Sequence, residues 1–313
     1  MSSKEIGGYF ELERFYGPML HQEAVALSCG RACIEYLFKQ KNIKKAALPI
    51  FCCDVVAESC RTAGAELRFY NIGRDFKPLI EELQEDEWLY VVNFYGQLSN
   101  EYLKSLKEKF PRLIVDNAQA YFAPPIPDTD TIYTCRKFLG VPDGGFLYTD
   151  CPEFKPRRDQ SFSRMNFLLG RFERTAGEFY AEASENNDYF SGKPIKSMSA
   201  LTENLLRAID YDMVKKRRED NFLYLHSALG DINLLNIHTV DGPYAYPLML
   251  NNASQLRREL IDNKIFVPTL WPNVLQDAPK GSLEYELAAN ILPLPCDQRY
   301  GREDMDRIIS FFK

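Results

Sequence analysis

Leu113-Ile114-Val115-Asp116-Asn117-Ala118-Gln119-Ala120, then Thr131-Ile132-Tyr133-Thr134-Cys135-Arg136-Lys137, then Asp143-Gly144-Gly145: this run of the 313-residue chain decides the fold. Short apolar runs bounded by polar residues read as buried strands. The first ends on a carboxylate, Asp116, and the second is followed by an amine, Lys137, 21 residues later. Two glycines before the next strand, Gly145–Tyr148, allow a tight turn and close backbone approach. Ligands of open α/β sheets bind outside the carboxyl ends of the strands. Asp116 and Lys137 are therefore candidate site residues. A carboxylate at the end of a buried strand costs free energy unless it is paired. Capping of a following helix is the competing role for Asp116, and a solvated surface charge is the competing role for Lys137.

Outward from this run the chain keeps alternating between two periods. Runs rich in β-branched and aromatic residues recur at 46–51, 67–72, 88–94, 113–115, 131–134 and 145–148. Helical patterns lie between several of them. In 54–64, Val55, Val56, Cys60 and Ala63 share a face, with Asp54 expected as N-cap and Gly64 as terminator. In 100–110, Tyr102, Leu103, Leu106 and Phe110 share a face, and Pro111 follows. Strands alternating with helices of this size predict βαβ units and a mainly parallel sheet. Residues 23–39 read as a helix opened or interrupted at Ser28-Cys29-Gly30. Residues 152–195 break the alternation. They show helical spacing over 162–180, and loop signals at Asn186-Asn187-Asp188 and Ser191-Gly192-Lys193-Pro194. A long helical stretch is expected over 199–229. From Tyr244 onward the order strand, helix (254–262), strand, helix (303–312) predicts a compact α/β unit. The division expected is a large domain, 1–200, and a small domain, 201–313.

Two further positions stand at candidate sites. Gly30-Arg31 opens a helix after small residues, where free N–H groups and a guanidinium would suit a phosphate. The competing role is a plain helix start with an exposed arginine. Phe51 directly follows a strand. Its ring could stack on a flat cofactor, and core packing competes with that role.

The formal net charge of -6 leaves no basic excess for a phosphate backbone, so nucleic acid is not expected as a partner. The one dense basic run, Lys215-Lys216-Arg217-Arg218, is followed at once by Glu219-Asp220 and reads as a solvated helix face. The first residues, Met1-Ser2-Ser3-Lys4-Glu5-Ile6-Gly7-Gly8, have no apolar run behind their charge, so a signal peptide is not expected. No uninterrupted apolar stretch is long enough to cross a bilayer. A soluble, cytoplasmic protein is expected. The 8 cysteines are then expected as thiols, and His21, His226 and His238 show no ligand spacing, so no metal site is expected. The chain has no P-loop, G-x-G-x-x-G, H-E-x-x-H or G-x-S-x-G.

In chain order, the elements are Ser28-Cys29-Gly30-Arg31-Ala32, Pro49-Ile50-Phe51, Asn93-Phe94-Tyr95-Gly96, Val115-Asp116-Asn117-Ala118-Gln119-Ala120, Thr134-Cys135-Arg136-Lys137 and Asp143-Gly144-Gly145. Together they resemble the DegT/StrS family of pyridoxal-phosphate sugar aminotransferases. The closing Ile291-Leu292-Pro293-Leu294-Pro295 with Glu303-Asp304 resembles it too. The resemblance spans most of the chain apart from about 152–195. It departs from the family at Arg31, where many members have Thr, at Thr134-Cys135 in place of Ser-Phe, and in overall length.

The resemblance implies an α/β fold of the aspartate-aminotransferase kind (PLP fold type I), with a mostly parallel mixed sheet in the large domain. It implies pyridoxal 5'-phosphate as cofactor and Lys137 as the lysine that holds it covalently and later shuttles a proton. Asp116 would face the ring nitrogen, Gln119 the ring oxygen, and Phe51 the ring face. Gly30, Arg31 and Thr134 would hold the phosphate. The partners implied are an amino donor such as glutamate, a keto-sugar, and a second copy of the chain in a homodimer. A partner residue near Lys196-Ser197 would reach the phosphate. The alternatives are another reaction of the same cofactor, such as elimination or dehydration, and a retired homologue that only binds. Arg299 and Tyr300 are read as a surface loop or a pocket lining.

Overall fold

The computed structural model describes residues 6–151, 154–251 and 253–312. The first five residues, part of the stretch 1–8 on which the signal-peptide reading falls, lie outside them. In chain order the larger unit contains β1 (Val25–Leu27), α1 (Gly30–Gln40), β2 (Lys45–Pro49), α2 (Asp54–Thr62), β3 (Glu66–Ile72), β4 (Pro78–Leu79) and β5 (Glu87–Val92). It continues with α3 (Asn100–Lys109), β6 (Leu113–Asp116), β7 (Asp130–Thr134) and β8 (Gly145–Tyr148). The eight strands form one sheet in the order β1-β8-β7-β6-β5-β2-β3-β4. The inner five, β3, β2, β5, β6 and β7, are mutually parallel. β1, β8 and β4 join antiparallel at the two edges.

The parallel strands read as apolar runs because helices cover both faces of such sheets. Every residue of β6 and β7 is buried. β2 pairs with both β3 and β5, so the chain turns one way after β2 and the other way from β5 on. This reversal is the switch point at which open sheets leave a crevice beyond the strand ends.

Two expectations for this unit need correction. Residues 25–27 do not begin a helix. They pair as β1 with β8, and the helix starts at Gly30 with Cys29 as its N-cap. The sheet edge recruits these three residues, which a helical period cannot reveal. Asp54 is the first helical residue rather than the cap, and its Oδ1 accepts the N–H of Val55.

Next come α4 (Asn166–Glu173), α5 (Tyr180–Asp188), α6 (Ala200–Leu206) and α7 (Tyr211–Leu229). The helical pattern over 162–180 is thus broken, and the loop signal at Asn186-Asn187-Asp188 is the last turn of α5. The stretch 199–229 is two helices, each opened by a side-chain cap, Ser199 for α6 and Asp210 for α7. The final unit has β9 (Tyr246–Met249), α8 (Ala253–Asp262), α9 (Val274–Asp277), α10 (Leu283–Asn290), β10 (Ile291–Leu294) and α11 (Arg302–Ile309). β9 and β10 pair antiparallel. The sequence pattern missed α9 and α10. α6 is tied to the larger sheet, because the Thr202 hydroxyl donates to Asp143.

Arg218 corrects the reading of the basic run. Lys216 and Arg217 are exposed, but Arg218 is only 1% exposed. It lies on the buried stripe of α7 with Val214, Phe222 and Leu225. Its guanidinium donates to the carbonyls of Pro243 (2.9 Å) and Phe138 (3.0 Å) and lies 4.7 Å from the Phe138 ring centre.

Candidate functional site

The carboxyl ends of β2, β5, β6 and β7 converge at the switch point, and each contributes residues. Asp116 ends β6. Tyr90 of β5 is paired with Ile114, two residues before Asp116, so all three side chains project from one face of the sheet. The Tyr90 hydroxyl donates to Asp116 Oδ2 at 2.8 Å, and the N–H of Ala118 donates to Oδ1 at 2.8 Å. Burial raises the Asp116 pKa, while the Lys137 charge and these two donors oppose the rise. Asp116 therefore sits in a desolvated place with no cation in contact among the described residues.

The loops on either side of it are knitted together. The Asn93 N–H donates to the Asp116 carbonyl, and Asn93 Nδ2 donates to Asn117 Oδ1 at 3.0 Å. Gln119 Oε1 accepts the N–H of Tyr95 at 2.8 Å. Tyr95 has φ 53°, a left-handed conformation that an L residue adopts only when its surroundings hold it there. Gln119 Nε2 has no hydrogen-bond partner among the described residues.

Lys137 lies on the turn after β7 and is exposed in the single chain. Its Nζ makes no hydrogen bond or ion pair among the described residues and stands 5.8 Å from the centre of the Tyr244 ring. It acts electrostatically on Asp116, Cys52 and Cys53, which brings the ends of β2, β6 and β7 together around it. The turn is braced from behind. The carbonyl of Phe138 accepts from Arg218 and, at 2.8 Å, from Gln298 Nε2.

Asp143-Gly144-Gly145 docks this turn against the start of α1. The Gly144 N–H donates to the Ser28 carbonyl at 2.6 Å, with φ 121° at Gly144. A Cβ there would collide with Cys135 Sγ, and one at Gly145 would lie 2.7 Å from the Cys29 backbone. The glycines thus let the start of α1, at Cys29, pack against Gly145, which pairs with Thr134. Thr134 is buried, and its hydroxyl donates to the Gly144 carbonyl at 3.2 Å. Asp143 is buried and accepts from the N–H and hydroxyl of Ser199, both at 2.7 Å, so it anchors α6 rather than lining the crevice.

Phe51 is not presented as an open ring. It is 1% exposed and packs edge-on against Trp271 at 4.6 Å and obliquely against Phe94 at 5.1 Å. The competing role, core packing, describes its position. Cys52 and Cys53, next in the chain, lie near Lys137 instead. The sequence reading also missed Tyr90 and Arg136. Tyr90 is the one hydroxyl in β5, whose only other polar side chain is Glu87 at the far end, and a strand register would have placed it near Asp116. Arg136 directly precedes Lys137.

Arg299 donates twice to Asp297, with Nε 2.7 Å from Oδ1 and Nη2 2.8 Å from Oδ2. It and Tyr300 line a cavity of about 190 Å³ with Arg171, Lys264, Phe266 and Arg307. Lys196 does not meet Thr134 in this chain. Its Nζ donates to Asp159 Oδ1 at 2.7 Å. Among the described residues no group of three or more His, Cys, Asp or Glu is placed to hold a metal, and no helix is long and apolar enough to cross a membrane.

No family model matches the chain, and no curated protein matches it. Solved structures do. DesV of S. venezuelae superposes with a TM-score of 0.67 at 17% identity, covering 96% of this chain and 90% of that one. A DegT DnrJ EryC1 StrS aminotransferase from Brucella abortus gives 0.63 at 16%, covering 95% and 90%. The sugar aminotransferase Spr1654 from Streptococcus pneumoniae, in its PMP form, gives 0.66 at 16%, covering 96% and 90%. At these identities the likeness shows the fold: a mostly parallel sheet of eight strands with its helices, as in the fold-type-I aminotransferases.

Proposed function

We propose that this chain is a short member of the DegT/StrS family. In this reading it is a pyridoxal-phosphate aminotransferase that moves an amino group from a donor such as glutamate to a nucleotide-linked keto-sugar. One observation carries the reading. A buried carboxylate, an unpartnered lysine and a helix start meet at the switch point of a fold-type-I sheet. Among the structures of similar fold, Spr1654 was solved in PLP and PMP forms and DesI in the presence of its TDP-sugar product.

The residues present fit the cofactor. Arg31 Nε is buried and has no partner, and a Cβ added to Gly30 would meet nothing within 4 Å. Gln119 Nε2 remains available as a donor, and Asp116 lacks a cation. When bound, pyridoxal phosphate supplies an electron-accepting ring beside the reacting carbon. Asp116, fixed by the Tyr90 hydroxyl and the Ala118 N–H, would hold a proton on the ring nitrogen. Gln119 Nε2 would donate to the ring oxygen. Gly30, Arg31 and Thr134 would hold the phosphate. Lys137 Nζ would anchor the cofactor and, as a free amine, would move the proton on the substrate.

Lys137 is open to water in the single chain, and such chemistry needs water excluded. A second copy would supply the cover. Tyr9 and Phe10 at the start of the chain are each 98% exposed, and Phe172 on α4 is 91% exposed. Apolar surface of this kind favours burial between two copies. The small domain would span residues 201–313, and the protein would work in the cytoplasm.

The deciding experiment is an absorbance spectrum with added pyridoxal phosphate, before and after borohydride, for wild type and Lys137→Ala. A visible band that borohydride removes and that requires Lys137 is expected, and glutamate should bleach it. A wild type without that band would overturn the reading.

A further inference from the structure

The N-terminus of α1 has an unusual charge arrangement. Its first turn holds no acidic residue, and no side chain caps it. Arg31 stands there instead, where the helix dipole opposes a cation. A second guanidinium, Arg136, arrives from the turn before Lys137. Burial, and then the charge of Arg31, lower its pKa, while thiols at Cys29 and Cys135 and the carboxylate of Asp143 act the other way. Neither arginine has a carboxylate partner among the described residues.

Both donate instead to one residue on the last turn of α5. Arg31 Nη1 reaches the Asn187 main-chain oxygen at 2.8 Å, and Arg136 Nη2 reaches Asn187 Oδ1. The Arg136 guanidinium lies 4.9 Å from the Phe190 ring centre. Arg31 Nε remains buried without an acceptor, and the space in front of Gly30 is open. Two cations this close, with no carboxylate in contact among the described residues and only the oxygens of Asn187 as acceptors, repel each other in a medium poorer in water than the bulk. A phosphate dianion offers charge and at least three acceptor oxygens, which suits paired guanidinium forks.

We propose that Arg31 and Arg136 form a two-arginine clamp for the cofactor's phosphate, and that Asn187 occupies the clamp until the phosphate displaces it. This rests on the function proposed above for the identity of the ligand. It adds Arg136 to the phosphate-holding set. It also gives the segment after α4 a role in binding, because α5 must yield its last turn when cofactor enters. The competing explanation is that the two arginines serve only as caps for the C-terminal carbonyls of α5.

The test uses the full chain as wild type, Arg136→Gln and Asn187→Ala. The probes are pyridoxal phosphate, pyridoxal without phosphate, and inorganic phosphate, followed by calorimetric titration and thermal melting. Wild type should bind pyridoxal phosphate and inorganic phosphate, and pyridoxal far more weakly. Arg136→Gln should lose about tenfold or more in affinity for both phosphate-bearing probes, because a charge-assisted fork is removed. Asn187→Ala removes the side-chain oxygen that competes for Arg136 and keeps the main-chain oxygen that holds Arg31, so inorganic phosphate should bind it about twofold to fivefold more tightly. That second variant keeps the proposal testable if Arg136→Gln fails to fold.

Unchanged pyridoxal-phosphate affinity in both variants, with lower melting of the ligand-free protein, would assign the arginines to α5 capping and overturn the clamp. If wild type binds inorganic phosphate through Arg136 but shows no Lys137-dependent band, the clamp stands as a phosphate site and the cofactor reading fails.

Discussion

Two regions that meet at the crevice treat buried charge in opposite ways. Around the ends of β6 and β7, ionisable groups are desolvated and given few counter-charges. Asp116 has its pKa raised by burial. His21 packs on Tyr133 with ring centres 4.1 Å apart and has its pKa lowered to about 4 by burial, against a hydrogen bond to the Tyr121 carbonyl. In the segment between β8 and α6, a buried carboxylate is fully paired. Asp159 accepts from Lys196 and Arg164, both at 2.7 Å. Burial alone would raise its pKa, but these partners outweigh it and the value is lowered. A charge left uncompensated leaves interaction energy available to a ligand, and a paired charge has already used it in holding the chain. The first region therefore reads as the place where something binds, and the second as a brace for its wall.

The sharpest way to break this contrast is Asp116→Asn. The raised carboxyl binds its proton more tightly folded than unfolded. Its contribution to stability is complete below the ordinary carboxylate range and is lost as pH rises through the folded value. At neutral pH the charge is therefore a cost, and the amide should melt no lower than wild type. Activity should behave differently, because in the proposed function the ring nitrogen would lose its anionic partner. A fall of roughly 10²–10³-fold in single-turnover rate with glutamate is expected. A variant that melts lower with an unchanged rate would make Asp116 a structural residue like Asp159.

His21 tests the same region without touching the chemistry. Its Nε2 lies 2.8 Å from the Tyr121 carbonyl and must donate to it, so Nδ1 accepts from the Tyr148 hydroxyl at 3.1 Å. The ring is neutral when folded. Unfolded, it takes up a proton near 6.5, whereas folded it resists until about 4. Stability should thus decline as pH falls from about 6.5 to 4, by up to about 3 kcal/mol from this group. Urea denaturation at a series of pH values reads it directly. His21→Phe should flatten the decline, and an unchanged slope would show that His21 does not set it.

The two regions also differ in how legible they were. The inner strands announced themselves because a parallel strand covered on both faces must be apolar, and Asp116 and Lys137 stood out against that background. Spacing placed them at the strand ends, and the resemblance assigned their roles. The sequence could not show what three-dimensional contact decides. Three residues, 25–27, become a strand only because β8 offers an edge. Arg218 looks like its neighbours in a basic run, yet the period of α7 carries it inward to two carbonyls. Phe51 follows a strand as a stacking ring would, but Trp271, 220 residues away, covers it. The segment beyond β8 was least readable of all. Its helices are short, and its ion pairs join residues such as Asp159 and Lys196 that no periodicity links.

Asp159→Asn should give the smallest effect and complete the contrast. The carboxyl's lowered value means that its stabilising contribution is complete above the ordinary carboxylate range and is lost as pH falls through the folded value. Its sign is therefore opposite to that of Asp116. Lys196 keeps 28% of its side chain in water, so solvent screens part of the interaction. Replacing the charge should cost about 1 kcal/mol at neutral pH. The deficit should vanish in acid, where wild type has also lost the charge. Because Asp159 binds Arg164, and Arg164 Nε donates to Asn186 on α5, loosening it should also free the last turn of that helix. Hydrogen exchange across α5 should rise in the variant at neutral pH and match wild type in acid. A pH-independent deficit would mean that Asp159 acts through packing rather than charge, and the two regions would then no longer differ in kind.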